Sequence, residues 1–360
     1  MSTENKSVSL DKVIVLIPSL DPDENLPRYF AGLQKAGFEK IVIVDDGSRT
    51  NTAIFDNLSQ RGGIIVRHAV NQGKGRALKT GYNYVLNNFS SDEIIGVVTA
   101  DADGQHSPID TCRVAEKLIE TGDVVLGCRD FDSDNVPFKS RFGNKTTTNV
   151  FKFLYGRRIS DTQTGLRGIP YELLYDSMRC RGERFEYEID FLIRIVEMHR
   201  NIIEVPIETI YYEGNRATHF SAVRDSIRIY RVILAQGIGY VFSSLSSFVV
   251  DIVMFAILTK LIFFRLPVEI CTLFGTVIAR LISATYNYNM NRSAVFKSDK
   301  SHRSTAPKYA ILAILQLLLS WMLVVVVYNR IHFDTTIIKV IVDTCLFIVS
   351  FQVQKRLIFK

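Results

Sequence analysis

Between residues 240 and 354 the chain carries four long apolar segments, at about 240–263, 268–289, 309–329 and 337–354. Most reach the roughly 20 residues that a helix needs to cross the hydrocarbon of a bilayer. Inside that medium each backbone N–H and C=O has to be satisfied within the segment, so four transmembrane helices are predicted. The first connection turns tightly around Arg265-Leu266-Pro267, and the third, Asn329 to Thr336, is short. The middle one carries Arg292, Lys297, Lys300, Arg303 and Lys308. Basic connections favour the cytoplasmic side, which puts both chain ends there too, and Lys355-Arg356 agree. Asp251 lies 14 residues before residue 265 and Arg280 lies 15 after it. At about 1.5 Å per residue both sit roughly 21–23 Å from the turn. Charge inside a bilayer normally finds a partner, so the two are expected to pair, with Lys339 or Asp343 as alternative partners.

Residues 1 to about 235 mix charged and apolar stretches as a soluble domain does. Val13 to Ile17, closed by Pro18, reads as a buried strand. Asp21-Pro22-Asp23-Glu24 offers N-cap and first-turn acids for a helix from about Asn25 to Lys35, ended by Gly37. Ile41 to Val44, Ile64 to Val66, Ile94 to Val98 and Val124 to Leu126 read as further strands. Helices are expected between them, one from about Arg76 to Leu86 and one after Pro108. Continuously apolar strands alternating with helices predict an α/β domain with a mostly parallel sheet covered on both faces. Ligands bind such sheets beyond the carboxyl ends of the strands. Four polar clusters fall there: Asp45-Asp46, Gly73-Lys74, Asp101 with Asp103, and Arg129.

Asp101-Ala102-Asp103-Gly104-Gln105-His106 is the sharpest of these. Two carboxylates one residue apart, with Gln105, offer hard oxygen ligands that suit Mg²⁺ or Mn²⁺ carrying substrate phosphates. The same letters also make a solvated Asp-Gly turn. Asp45-Asp46-Gly47-Ser48 either caps a helix or presents a carboxylate to a nucleobase or ribose. Asn71-Gln72-Gly73-Lys74-Gly75 is either a flexible connection or a cation and bare backbone set near a phosphate. It lacks the spacing of a nucleotide-hydrolase phosphate loop.

Together, Ile17-Pro18-Ser19-Leu20, Val44-Asp45-Asp46-Gly47-Ser48, Asn71 to Gly75 and Asp101 to His106 resemble an inverting family 2 glycosyltransferase of the polyprenyl-phosphate (dolichyl-phosphate) hexose synthase branch. Gly127-Cys128-Arg129, Arg141 to Lys145 and Asp161-Thr162-Gln163-Thr164-Gly165 extend the likeness over roughly residues 12–225. The resemblance implies a GT-A fold and a nucleotide-sugar donor, with UDP-glucose ahead of GDP-mannose. It implies Mg²⁺ or Mn²⁺ on Asp101, Asp103 and Gln105. The implied donor pocket is Pro18, Leu20, Val44, Asp45, Asp46, Lys74 and Ala102, together with those three. Asp101, Asp103 and Arg129 are the implied catalytic residues. Where relatives often have Tyr-Asn-Glu after the first proline, this chain reads Leu20-Asp21-Pro22, leaving Asp23 or Glu24 for that contact. The Gln-x-x-Arg-Trp of processive polysaccharide synthases is missing, since the one tryptophan, Trp321, lies in an apolar run. The membrane segments resemble the four-helix GtrA-like domain, on topology and on Asn287 to Arg292.

Arg129, Arg141 and Lys145 offer cations for an acceptor phosphate, because an arginine fork binds two oxygens at once. A solvated helix face is the alternative. Ile189, Leu192, Ile193 and Val196 predict a core-facing helix from Phe185 to His199. Its Glu186, Glu188 and Asp190 are read as solvated or structural, unless one faces the site. Val223, Ile227, Tyr230 and Leu234 form a stripe beside Arg224, Arg228 and Arg231, the pattern of a helix lying on an anionic membrane, with a helix packed on the sheet as the alternative. The expected layout is a cytoplasmic GT-A domain at 1–218, an interfacial helix at 219–237 and an all-α four-helix transmembrane domain at 238–360. Five scattered cysteines suggest neither a metal cluster nor a disulfide framework, and polar Met1 to Lys12 suggests no signal peptide. The expected activity is transfer of a hexose from a nucleotide sugar to polyprenyl phosphate for cell-envelope glycosylation, at a bacterial or archaeal plasma membrane. A lipid-linked-sugar transporter with a non-catalytic domain and a polysaccharide synthase are the rivals. Expected partners are the nucleotide sugar, the lipid phosphate and the membrane, with no nucleic acid; a homo-oligomer is left open.

Overall fold

Val13–Ser19 (β1) is buried along its whole length, because both of its faces are covered. Val13, Val15 and Ile17 pack in one core with Phe30 and Leu33 of α1 (Asn25–Lys35), Phe55 of α2 (Ala53–Gln60), and Val114 and Leu118 of α4 (Pro108–Thr121). The other face takes α3 (Lys74–Asn88), where a Cβ on Gly81 would come within 2.2 Å of Leu16 Cδ1. Two-sided burial is the reason this strand is apolar at consecutive positions. The computed structural model describes residues 9–132, 138–208 and 222–359, in two compact units, Met1–Ile233 and Leu234–Lys360.

The remaining elements of the first unit are β2 (Lys40–Asp45), β3 (Ile64–Arg67), β4 (Gly96–Thr99), β5 (Val124–Arg129), α5 (Phe138–Tyr155), β6 (Arg167–Pro170), α6 (Leu174–Met178), α7 (Glu186–Glu197) and β7 (Ile202–Ile207). They make a seven-stranded sheet of order β3-β2-β1-β4-β6-β5-β7. Only β6 runs antiparallel to its neighbours, so this is the mostly parallel, GT-A-like sheet expected. The Ile189, Leu192, Ile193 and Val196 stripe is buried as expected.

Two local expectations give way, one to a long-range contact and one to a backbone turn. Asp21 does not cap α1. Its Oδ1 accepts from the backbone N–H groups of Arg49 (2.7 Å) and Thr50 (2.8 Å), tying the loop after β1 to the loop after β2. α3 begins at Lys74 rather than near Arg76, because Gly73 at φ +105° turns the chain directly into the helix.

α8 (Ala222–Ile257) presents two faces in its first turns. Its first turns pack through Asp225, Ile229 and Ile233, which are buried, and the Tyr155 hydroxyl donates to the Ile233 carbonyl at 3.1 Å. Ile227 and Leu234, read as the apolar face, are exposed. Asp225, paired with Arg228 at 3.3 Å, puts a charge on the inward face and so hides that stripe from a hydrophobicity reading. Val223 lies among residues whose side chains are not described.

α8 also runs without a break through the expected boundary near residue 238 and continues in a π-helical turn, Leu258–Ile262. The second unit adds α9 (Val268–Met290), α10 (His302–Ile331) and α11 (Thr335–Val353). Among the described residues, four helices, Arg224–Ile262, Val268–Val295, His302–Ile331 and Thr335–Ile358, are long and apolar enough to cross a membrane. The basic connection is shorter than expected, since Arg303 and Lys308 already belong to α10.

A polar seam runs between α8 and α9. Arg280 lies 3.3 Å from Asp251, which also accepts from the Ser283 hydroxyl at 2.9 Å. Lys339 and Asp343 instead pair with each other at 2.9 Å. Further along, Asn291 donates to Asn287 and to Gln354, each at 3.0 Å, fastening α9 to the π turn after α11. Asp251→Ala and Arg280→Ala should each lower the melting temperature of detergent-solubilised protein. The double variant should lose less than the sum, by about 0.5 kcal/mol or more. Arg280 is 72% exposed from the protein, so strictly additive losses would mean that its charge is met by its surroundings and not by Asp251.

Candidate active site

The carboxyl ends of β1, β2 and β4 open onto a cavity of about 480 Å³. Pro18, Leu20, Asp46, Lys74, Asp101, Ala102 and Asp103 line it, all of them donor-site residues implied by the resemblance. Asp21, Asp23, Arg184 and Phe185 join them. Of the two acids offered for the missing glutamate contact, Asp23 is on the wall, while Glu24 pairs with Arg28 at 3.0 Å at the surface.

Three implied donor residues are not on the wall. Val44 is fully buried, pairing in register with Pro18 in the sheet core. Asp45 is spent on its own turn, where Oδ1 accepts from Ser48 N–H at 2.8 Å. Gln105 lies just beyond the wall, its backbone N–H donating to Asp103 Oδ1 at 3.0 Å. Asp46 is on the wall but already engaged. It accepts from the N–H groups of Gln72 (2.9 Å) and Gly73 (2.8 Å), and His68 Nδ1 lies 2.7 Å away.

The deep end is an ion cluster. Lys74 Nζ sits 2.6 Å from Asp101 Oδ1 and 2.6 Å from Glu188 Oε1. Buried His106 brings Nε2 to 3.4 Å from Asp101 Oδ2. Asp101 rests on Gly165, whose carbonyl accepts from the Thr99 hydroxyl at 2.7 Å. Buried Arg167 steadies this arrangement by donating to the carbonyls of Thr164 and Glu188, each at 2.8 Å.

The three cations read as an acceptor-phosphate set are not gathered at this wall. Arg129 is held by fully buried Asp161 through Nε at 2.6 Å and a second nitrogen at 3.0 Å. Lys145 pairs with Asp132 at 2.6 Å, both well exposed. Arg141, on α5, also acts on Asp132, and these cations hold its carboxyl below the usual range.

Residues 14–188 match glycosyl transferase family 2, and residues 214–359 match the GtrA/DPMS transmembrane domain. An uncharacterised protein of Methanocaldococcus jannaschii is 29% identical over 65% of this chain and 96% of its own. The UDP-N-acetylglucosamine–dolichyl-phosphate N-acetylglucosaminyltransferase of Methanococcus voltae is 30% identical over 63% of this chain and 97% of its own. The chain belongs to glycosyltransferase family 2. A polyprenol monophosphomannose synthase of Mycolicibacterium smegmatis is 28% identical over 54% of this chain and 76% of its own. The transferase is an integral membrane enzyme of the dolichyl/polyprenyl-phosphate sugar transferase kind, with its four apolar helices in the transmembrane domain.

Among the described residues of the transferase, no three His, Cys, Asp or Glu side chains converge as a metal cage. A divalent ion that shares its shell with substrate phosphates needs only one or two carboxylates, and Asp101 and Asp103 supply them. The charge of the wall favours such an ion. Asp21, Asp23, Asp46, Asp101 and Asp103 stand against only Lys74 and Arg184. A diphosphate entering that excess of carboxylates calls for a companion cation. Burial and the neighbouring Asp101 charge push the Asp103 carboxyl up. Burial also works to raise Asp101, but Lys74 and His106 outweigh it and hold that carboxyl far below the usual range.

Asp161, Gly165 and Arg184 are site residues to which sequence reasoning gave no role of their own, and Glu188 was read as solvated or structural unless it faced the site. For Gly165 the signal was present, a glycine closing a polar motif. A Cβ there would come within 2.3 Å of Asp101 Oδ2. Gly165→Ala should therefore cost about 10²-fold in kcat by moving a carboxylate of the site. Steady-state turnover with unchanged secondary structure is the check, and wild-type kcat would refute the contact.

Proposed function

We propose that the transferase moves a hexose from a nucleotide sugar, UDP-glucose ahead of GDP-mannose, to polyprenyl phosphate with inversion at the anomeric carbon. The observation that carries this reading is the pair Asp101 and Asp103 on the wall of a cavity whose carboxylates outnumber its cations. Pro18, Leu20, Asp46, Lys74, Ala102 and Asp23 hold the donor, and Asp101 and Asp103, with Gln105 nearby, hold Mg²⁺ or Mn²⁺. When bound, the ion neutralises charge on the departing diphosphate. Lys74, at the amino end of α3, adds a second positive charge there. Arg129 orients the acceptor phosphate, with Arg141 and Lys145 further along α5. A phosphate oxygen attacks the anomeric carbon from the face opposite the diphosphate; the new C–O bond forms as the bond to the nucleotide breaks. That oxygen is already anionic, so no strong general base is required.

The names of the Methanococcus and Mycolicibacterium relatives, one acting on dolichyl phosphate and the other a polyprenol monophosphomannose synthase, support a lipid-phosphate acceptor. The basic residues between α9 and α10 support a cytoplasmic catalytic unit with both termini on that side. The test is purified protein with undecaprenyl phosphate, Mg²⁺ or Mn²⁺, and UDP-glucose, GDP-mannose and UDP-N-acetylglucosamine in turn. Lipid-phosphate hexose with release of nucleoside diphosphate is expected. Transfer of the N-acetylated sugar alone would overturn the hexose assignment, and no transfer from any donor would overturn the acceptor.

A further inference from the structure

We propose that Lys74 is a built-in cation that occupies Asp101 until the donor arrives and then passes to the donor's diphosphate, so that metal and sugar nucleotide bind as a pair. The proposal rests on Asp101 and Asp103 being the metal carboxylates. Asp101, on the cavity wall, has its Oδ1 taken by Lys74 at 2.6 Å, and Lys74 is anchored equally closely by Glu188. Glu188 is 7% exposed and belongs to the core-facing α7, while the Lys74 side chain is 17% exposed and lines the cavity. One end of this bridge is therefore fixed in the protein and the other is open to a ligand.

The backbone beneath Lys74 cannot follow it. A Cβ on Gly73 would meet the Glu183 carbonyl at 2.5 Å, and one on Gly75 would meet Tyr187 Cβ at 2.6 Å. Arg76 N–H donates to Glu183 O at 3.0 Å. Only the flexible four-carbon stem of Lys74 is left to move, and a compact ammonium on such a stem suits an exchange of partners. A divalent ion on Asp101 with Lys74 still in contact would place two cations on one carboxylate, a repulsion that grows in a partly buried site. The entering diphosphate relieves it by giving Lys74 new oxygens. Binding free energies are reciprocal, so the nucleotide tightens the metal by the factor by which the metal tightens the nucleotide.

The experiment is Mn²⁺ binding to the full-length solubilised protein, read from the electron paramagnetic resonance of free Mn²⁺ and so independent of turnover. Wild type, Lys74→Met, Lys74→Gln and Lys74→Arg are each titrated with and without UDP, and with and without GDP. Without nucleotide, Lys74→Met and Lys74→Gln should bind Mn²⁺ about tenfold tighter than wild type, and nucleotide should tighten them less. Lys74→Arg, which keeps the charge, should stay near wild type. A merely structural lysine would loosen the site when removed, not tighten it. Neutral variants binding Mn²⁺ alone no better than wild type, with undiminished tightening by nucleotide, would overturn the proposal. Wild type failing to bind Mn²⁺ even with nucleotide would instead overturn the metal assignment beneath it.

Discussion

Asp103→Asn keeps the fold and loses all but about one thousandth of the turnover. Asp101 pairs directly with Lys74, whereas Asp103 accepts a backbone N–H from Gln105 and feels Lys74 and His106 only at longer range. Burial and the charge of Asp101 raise the Asp103 carboxyl, so its ionised form costs folding energy. The sign follows. The cost is present at neutral pH and is relieved as pH falls through the raised value toward the ordinary 3.8. The asparagine variant should therefore melt slightly above wild type at pH 7, and that advantage should vanish in acid. A carboxylate with a purely structural role would show the opposite, a lower melting temperature. Full turnover of the variant, or undiminished wild-type turnover in excess chelator, would remove Asp103 from the metal.

Asp161→Ala gives the largest loss of stability, about 3–5 kcal/mol. Asp161 is fully buried and takes Arg129 in a two-pronged pair, with Gln163 N–H as a further donor at 3.1 Å. Removing it leaves the Arg129 guanidinium largely buried without its counter-charge, which costs more than the pair is worth. Arg129→Leu combined with Asp161→Leu should consequently be more stable than Asp161→Ala alone. Denaturant titration of the solubilised enzyme measures both. Arg129→Ala separates structure from catalysis: its Michaelis constant should rise more for lipid phosphate than for sugar nucleotide. An equal rise for both would assign Arg129 to the donor.

The parts of the fold legible in sequence were those written in neighbouring letters. β1 announces itself through an apolar run closed by proline, α1 falls at Asn25–Lys35 as its pattern indicates, and Asp101 and Asp103 stand at the end of β4. What stayed hidden depends on distance along the chain. Lys74 meets Glu188 across 114 positions and Arg129 meets Asp161 across 32, and no local pattern reports either pairing. Val44 shows a related limit: the resemblance implied a pocket residue, but that side chain lies inside β2 and is fully buried, while Asp46, just past the end of the strand, reaches the cavity. The inward face of α8 was missed because its buried register includes Asp225.

The Asn71-to-Gly75 loop has the composition of a slack linker, yet it is pinned at its centre. Gln72 and Gly73 N–H groups are held by Asp46, and Arg76 N–H by Glu183. The Gln72 and Gly73 amides should exchange with deuterated water as slowly as those of a helix, well before any substrate is added. Ordering a free loop would cost about 1–2 kcal/mol per residue at the moment of binding. Here that cost is met during folding for the Gln72 and Gly73 backbone, so a ligand entering the cavity spends none of its binding energy on ordering it.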